Sequence, residues 1–402
     1  MAKTPVKKTI AKKRPIEPAE PPPVVAEITA LAQNWRKRLG VWKRPSIRAP
    51  VAIGSDCSGY GSELLALRLL GLQKRMKLVM VCESSPAKRL LHAAMSEVCN
   101  FDTSHCSFYY DIFERDNKTA PRLDFYCAGY PCPSFSRIGA RRGTNDRRGM
   151  ATLQGLHYIA TARPRALVLE QVSAITDRTH KRVWEFLQKI LRMLDYEFVF
   201  SVLNTKKFGV PQSRPRVYLM AVCKESVKQP LVMPPAREDQ PDLHAFLDKS
   251  VMGNEKLDLP HYEAKIGPKL WNHGFIVDVD ASVRYQHALV NCSPCLTKTR
   301  CKGHGYYIPK LARRLRPEEM ARLQGLPSAV ADKLMKVQDV PHRAFEEGLG
   351  DGMSVNVVQT VVRRCLDAAG LTALGEGKDW WLRCPRNHCC QLAGNLWVKY
   401  NQ

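Results

Sequence analysis

Short apolar runs alternate with helix-period stretches through much of the chain. The runs occupy 51–53, 78–82, 123–128, 166–169, 198–203 and 217–222. Between them, 63–70, 87–98, 152–162 and 182–194 place apolar residues three and four apart, the spacing of one face of a helix. Strands this short and this apolar are buried on both faces, and helices that return the chain between them cover those faces. The pattern therefore predicts an α/β fold, a mainly parallel sheet with helices on both sides.

The alternation stops after residue 222. A stretch rich in Pro, Asp, His and Lys follows to about 310, and two amphipathic helical patterns then appear at 317–326 and 354–369. The final segment, 371–402, carries Trp380, Trp381 and Trp397. At the other end, 1–50 combines lysines, a cluster of prolines from Pro15 to Pro23 and a basic patch over 36–48. Proline and like charge oppose a packed core, so a disordered basic arm is expected there. The chain thus divides into an arm (1–50), a sheet domain (51–223), a smaller module (224–310), a return to the sheet domain (311–370) and a tail (371–402).

Charge narrows the function. Lys and Arg number 62 against 38 Asp and Glu, a net charge of +24, which favours a polyanionic partner, with nucleic acid ahead of a membrane surface. No stretch approaches the roughly 18 consecutive apolar residues of a membrane span. The 14 cysteines, in a chain without a secretory apolar segment at its start, read as reduced intracellular thiols. Ala11-Lys12-Lys13-Arg14-Pro15 suits either a nuclear localisation signal or a basic arm that holds nucleic acid, and a nuclear location is the expectation.

The candidate chemistry sits at the ends of the apolar runs. The first run leads into Asp56-Cys57-Ser58-Gly59-Tyr60-Gly61-Ser62 and then a helix, a turn that lets backbone N–H groups approach a nucleotide-like ligand. Glu83 ends the second run, where it could accept from ribose hydroxyls, and Asp111 with Ile112 follows another short apolar stretch and suits an adenine amino group. Together they point to an adenosine-containing cofactor. Cys132 stands between Pro131 and Pro133, which fix its backbone, and a Gly/Arg/Asp-rich stretch over 137–148 has the composition of a mobile lid; both favour a nucleophile. Glu170 ends the run at 166–169. A thiol and a carboxyl at neighbouring strand ends suit attack on an electron-poor ring with protonation of a ring nitrogen. Arg214 and Arg216, two apart on an extended segment, point the same way.

In this order, the glycine turn, Glu83, Asp111, Pro131-Cys132, Glu170-Gln171-Val172 and Gln212-x-Arg214-x-Arg216 resemble the cytosine carbon-5 DNA methyltransferase family. So do Arg314-Leu315-Arg316-Pro317-Glu318-Glu319, Arg322-Leu323-Gln324-Gly325-Leu326-Pro327 and Gly352-Met353-Ser354-Val355, and the resemblance covers about 51–370. It implies a Rossmann-like methyltransferase sheet, S-adenosylmethionine as cofactor and duplex DNA as partner, with 224–310 as the target-recognition domain. The oligomeric state is open, a monomer being expected.

By the same resemblance, Cys132 attacks carbon 6 of a flipped cytosine, Glu170 engages N3 and the exocyclic amine, and Arg214 and Arg216 support Glu170 and the base. Cys57, Ser58, Gly59, Tyr60, Gly61, Glu83, Asp111, Ile112, Pro131 and Ser354 would bind the cofactor. The chain departs from the family at Cys57 (usually Phe), Gln171 (usually Asn) and Met353 (usually Asn), none of which removes a reacting group. The absence of a Cys-Phe-Thr tripeptide favours DNA over the tRNA that one branch modifies. Cys292-x-x-Cys295 with Cys301 and His304, and a tail group of Cys384, His388, Cys389 and Cys390, have ligand types that suit zinc. The first overlaps Ser293-Pro294-Cys295-Leu296-Thr297, a stretch the family carries without metal, and no metal is expected.

Overall fold

The computed structural model describes residues 22–39, 41, 46, 49–131, 146–239, 241–267, 275–283, 289–378 and 380–383. A seven-stranded sheet is built from β1 (Val51–Asp56), β2 (Met76–Cys82), β3 (Ser107–Tyr109), β4 (Phe125–Gly129), β5 (Ala166–Val172), β6 (Tyr196–Asn204) and β7 (Pro215–Cys223), in the order β3-β2-β1-β4-β5-β7-β6. The order reverses between β1 and β4, and every strand is parallel to β1 except β7, which runs antiparallel to both β5 and β6. In such a sheet ligands bind beyond the carboxyl ends of the strands, beside the reversal.

Alternation along each strand divides the core in two. Phe125 and Cys127 of β4, with Ala166 and Val168 of β5, face one layer, whereas Tyr126, Ala128, Leu167 and Leu169 face the other. The first layer contains α2 (Ser62–Leu69) and α3 (Pro86–Val98); the second contains α4 (Arg147–Ala162) and α5 (Lys181–Met193). Both faces are covered, as the apolar runs predicted.

Part of the expected disordered arm is a helix. α1 (Pro23–Arg38) packs on α4 and α5 in the second layer, with Ile28, Ala32 and Trp35 buried and Trp35 Nε1 donating to the Ala160 carbonyl at 2.8 Å. Proline is tolerated in a first helical turn, and the apolar spacing 28–32–35 makes one stripe, so proline richness alone misjudged this segment.

The middle of the chain also divides differently. Leu231, Leu243, Phe246 and Leu247 join the main core. A small antiparallel sheet, β8 (Val277–Asp278), β9 (Tyr306–Ile308) and β10 (Arg313–Arg314), has its own core with α6 (Pro260–Ile266), built on Tyr262, Phe275, Val277 and Tyr307. The chain continues through α7 (Lys298–Lys302, before β9), α8 (Pro317–Leu323), α9 (Ser328–Met335) and α10 (His342–Asp351) to α11 (Val355–Ala368). α11 packs against α2, β5 and β7, which brings its amino end to the carboxyl edge of the sheet. Among the described residues no helix is long and apolar enough to cross a membrane.

Candidate active site at the carboxyl edge of the sheet

The turn after β1 is anchored from below. Asp56 is fully buried; Arg115 donates to both of its oxygens, through Nη2 at 2.8 Å, and Tyr126 Oη donates at 2.7 Å. Beyond it Cys57 and Gly59 take positive φ (52° and 57°), and Gly61 caps α2 at 84°. Glu83 accepts from Gly59 N and from Ser85 N, both at 2.9 Å, so the acid ending β2 holds the turn ending β1. A Cβ at Gly59 would meet nothing within 4 Å, whereas one at Gly61 would press on Met95 at 3.1 Å. The first glycine therefore borders open space and the second packs on α3.

The other candidates for the cofactor are placed around this turn. Ser58 is buried and hydrogen-bonded to Ser55. The Tyr60 side chain is fully buried, its hydroxyl donating to the Met353 carbonyl at 3.4 Å. Burial, reinforced by Asp56 and Glu83, pushes the Cys57 thiol well above the usual range. Asp111 accepts from Phe113 N at 2.9 Å and pairs with Arg147 at the start of α4, and Ile112 is buried beside it. Ser354 bonds to Thr205 Oγ1 and Gln324 Oε1, each at 2.9 Å, tying α11 to the loop after β6.

The candidate reacting edge lies across β4 and β5. Gly129 pairs with Glu170 in the register, and a Cβ at Gly129 would stand 3.6 Å from Glu170 Oε2 and 3.3 Å from Met353 Cγ. Pro131 is half-buried; Cys132 and residues 133–145, with most of the expected lid, lie outside the described residues. Glu170 is 3% exposed and its Oε1 lies 3.2 Å from Arg216 Nε. Burial raises its pKa, and Arg216 and then Arg214 pull it only partly back, so the net direction is upward.

The two arginines divide their work. Arg214 donates to the carbonyls of Leu296 (2.6 Å), Gly350 (3.2 Å) and Gly352 (2.8 Å), clamping the segments before α7 and α11 to the sheet. Arg216 is the one that faces Glu170. Both guanidinium groups also reach Cys295 Sγ, at 3.6 Å from Arg214 Nη1 and 3.8 Å from Arg216 Nη2. Burial pushes this thiol up, but Arg216 and Arg214 more than offset it and hold it below the usual thiol range.

Cys295 is thus occupied by arginines, while Cys292 Sγ turns to its neighbour Ser293, and no group of three or more His, Cys, Asp or Glu able to hold a metal occurs among the described residues. The tail group from Cys384 to Cys390 lies outside them. Gln212, also passed over as a functional residue, is fully buried: its amide donates to the Leu323 carbonyl at 2.6 Å and accepts from Leu296 N at 3.0 Å.

The model of the C-5 cytosine-specific DNA methylase family matches residues 100–367, two thirds of the chain. The chain belongs to that family. Glu170, Arg214, Arg216 and Ser354 lie inside the match, and the glycine turn and Glu83 precede it. Relatives include Type II methyltransferase M.SsoII of Shigella sonnei, 26% identical over 269 residues (64% of this chain, 67% of the relative). Type II methyltransferase M.HhaI of Haemophilus parahaemolyticus is 25% identical over 267 residues (62% and 78%). The fold is that of the Entamoeba histolytica methyltransferase EhMeth, with a TM-score of 0.55 at 15% identity over 81% of this chain and all of that one. This methylase is therefore an enzyme of the DNA (cytosine-5) methyltransferase class, and S-adenosylmethionine is the methyl donor of that class.

Proposed function

We propose that this methylase transfers a methyl group from S-adenosylmethionine to carbon 5 of a cytosine flipped out of duplex DNA, through a covalent bond to Cys132. The observation that carries the reading is Glu170: a buried carboxyl with a raised pKa, paired with Arg216, on the strand beside the one that leads to Cys132.

The cofactor's residues fit the group. Gly59 opens onto free space, the Glu83 carboxylate lies at the edge of the same turn, and Asp111 stands beyond it. Glu83 suits the ribose hydroxyls and Asp111 the adenine amine; Cys57, Ser58, Tyr60, Gly61, Ile112, Pro131 and Ser354 form or brace the surrounding wall. When bound, S-adenosylmethionine supplies an electrophilic methyl on a sulfonium. From Glu83 to Glu170 the edge crosses three strand spacings, roughly 14 Å, which leaves room for a nucleoside and a base side by side.

The remaining steps belong to the chain. The Cys132 thiolate adds to carbon 6 while Glu170 hydrogen-bonds N3 and the exocyclic amine, so electron density accumulates at carbon 5. Arg216 holds the Glu170 carboxyl toward the base. Loss of the carbon-5 proton to water and departure of the thiolate restore the ring. Reaching a stacked base costs about a few kcal/mol of unstacking, offset by contacts in the pocket. The module around β8–β10 and the flanking 224–310 stretch is suited to reading the bases, with lysines on the phosphates.

Transfer of labelled methyl from S-adenosylmethionine to duplex DNA, hemimethylated DNA and tRNA tests this, with Cys132→Ala as control. Label on duplex DNA that disappears in the variant is the expected result. Label on tRNA alone would replace the substrate, and label on none would remove the catalytic reading.

A further inference from the structure

We propose that Cys295 is an oxidation-sensitive thiol built into the site, converted by hydrogen peroxide to a sulfenic acid held beside Arg214 and Arg216. The geometry is a cluster. Two guanidinium groups, from positions 79 and 81 residues away in sequence, have Nη atoms within 3.8 Å of one sulfur. Arg214 is 2% exposed, and its Nε has no hydrogen-bond partner among the described residues, so this buried cation retains a donor that the surrounding carbonyls do not use. Cys295 itself is half-buried, whereas Cys292 and Cys301 are 1% and 0% exposed. The cation pair favours the thiolate over the thiol, and the thiolate is the form that attacks peroxide. The same two arginines lower the pKa of this thiol, while burial raises those of Cys292 and Cys301.

The step balances without a further reagent. The thiolate sulfur attacks one peroxide oxygen, an S–O bond forms and the O–O bond breaks. Hydroxide departs and takes a proton from solvent to become water. Sulfur is oxidised by two electrons and peroxide is reduced by two. The product carries a new oxygen acceptor beside the two guanidinium groups. Arg216 also faces Glu170, so an oxygen on Cys295 competes with that carboxyl for the guanidinium; this consequence, unlike the modification itself, rests on the methyl-transfer reading.

The test treats the full chain with dilute hydrogen peroxide, traps sulfenic acid with dimedone and reads the adducts by peptide mass spectrometry. Cys292, three residues away, and Cys301 serve as internal references. Adduct at Cys295 is expected to form at least about tenfold faster than at either, since each unit of pKa changes the thiolate fraction about tenfold. Arg216→Gln is expected to slow it severalfold. Labelling of Cys295 at the rate of Cys292 and Cys301 overturns the proposal, as does an unchanged rate in folded Arg216→Gln. If that variant does not fold, the comparison within the unaltered chain decides. Trapping requires no methyl transfer, so a chain that labels at Cys295 but methylates nothing sinks the proposed function and leaves this inference standing.

Discussion

A carboxyl group that must present a proton near neutral pH has to be kept from ionising as readily as it does in water, and Glu170 is kept so by burial. Arg216 works in the opposite direction, and its presence limits how far the shift goes. Two expectations follow from that balance. Glu170→Gln keeps the shape but loses the acid, and should lower kcat by about 10²- to 10⁴-fold, the usual range for a positioned acid or base, with the thermal unfolding profile little changed. In the proposed mechanism the acting form is protonated, so kcat should fall as pH rises through the raised Glu170 pKa. Arg216→Gln removes the cation that pulls this pKa down, and should move the fall to higher pH while also reducing the rate. A pH–rate profile of the variant with its fall at lower pH than the parent would contradict this arrangement.

At the scale of elements, the carboxyl edge was legible because the apolar runs of β2, β4 and β5 stop within three residues of the ends of those strands. Glu83, Gly129 and Glu170 follow directly from that rule, and the structure aligns them along one edge. What joins distant elements was not legible. Asp56 and Arg115 are 59 residues apart, and no local pattern marks an arginine buried to anchor a turn. Gln212, Thr205 and Gln324 hold segments together through buried hydrogen bonds, and Cys295, between β8 and β9, meets arginines 81 and 79 residues before it. The insertion of β7 between β5 and β6 is likewise a matter of tertiary pairing, invisible in run lengths.

α1 is the clearest instance of composition misleading. Prolines and lysines around it suggested disorder, yet the Ile28–Ala32–Trp35 stripe covers α4 and α5. Trp35 is 7% exposed and donates to a buried carbonyl, so Trp35→Ala removes both apolar contact and a hydrogen bond. The expected cost is about 3–5 kcal/mol, the range for truncating a buried aromatic side chain, measured by urea denaturation. An unchanged midpoint and slope would show that α1 contributes nothing to the fold's stability.

At the scale of the whole molecule, the chain returns to its first domain. α11 closes against α2 and β5 from more than 280 residues beyond the glycine turn, and Ser354 at its start reaches the loop after β6. The two amphipathic patterns near the end were legible as helices; the place of Ser354 beside the first glycine turn followed only from the family resemblance. The net charge of +24 belongs to this scale too. If the basic residues of 1–21 add phosphate contacts, the logarithm of DNA affinity should fall with the logarithm of salt by about 0.9 per phosphate neutralised, and removing 1–21 should make that slope shallower. An unchanged slope and affinity would confine DNA binding to the rest of the chain.

The convergence of a thiol and a buried acid on one cytosine is tested most directly with duplex DNA carrying 5-fluorocytosine. Fluorine stands where the departing proton should be, so the thiolate cannot be released after methyl transfer and the enzyme stays bound to the base. With S-adenosylmethionine present, peptide mapping should find the modified base on Cys132, and the adduct should vanish in Cys132→Ala and form far more slowly in Glu170→Gln. An adduct on another residue, or undiminished methyl transfer by Cys132→Ala, would contradict it.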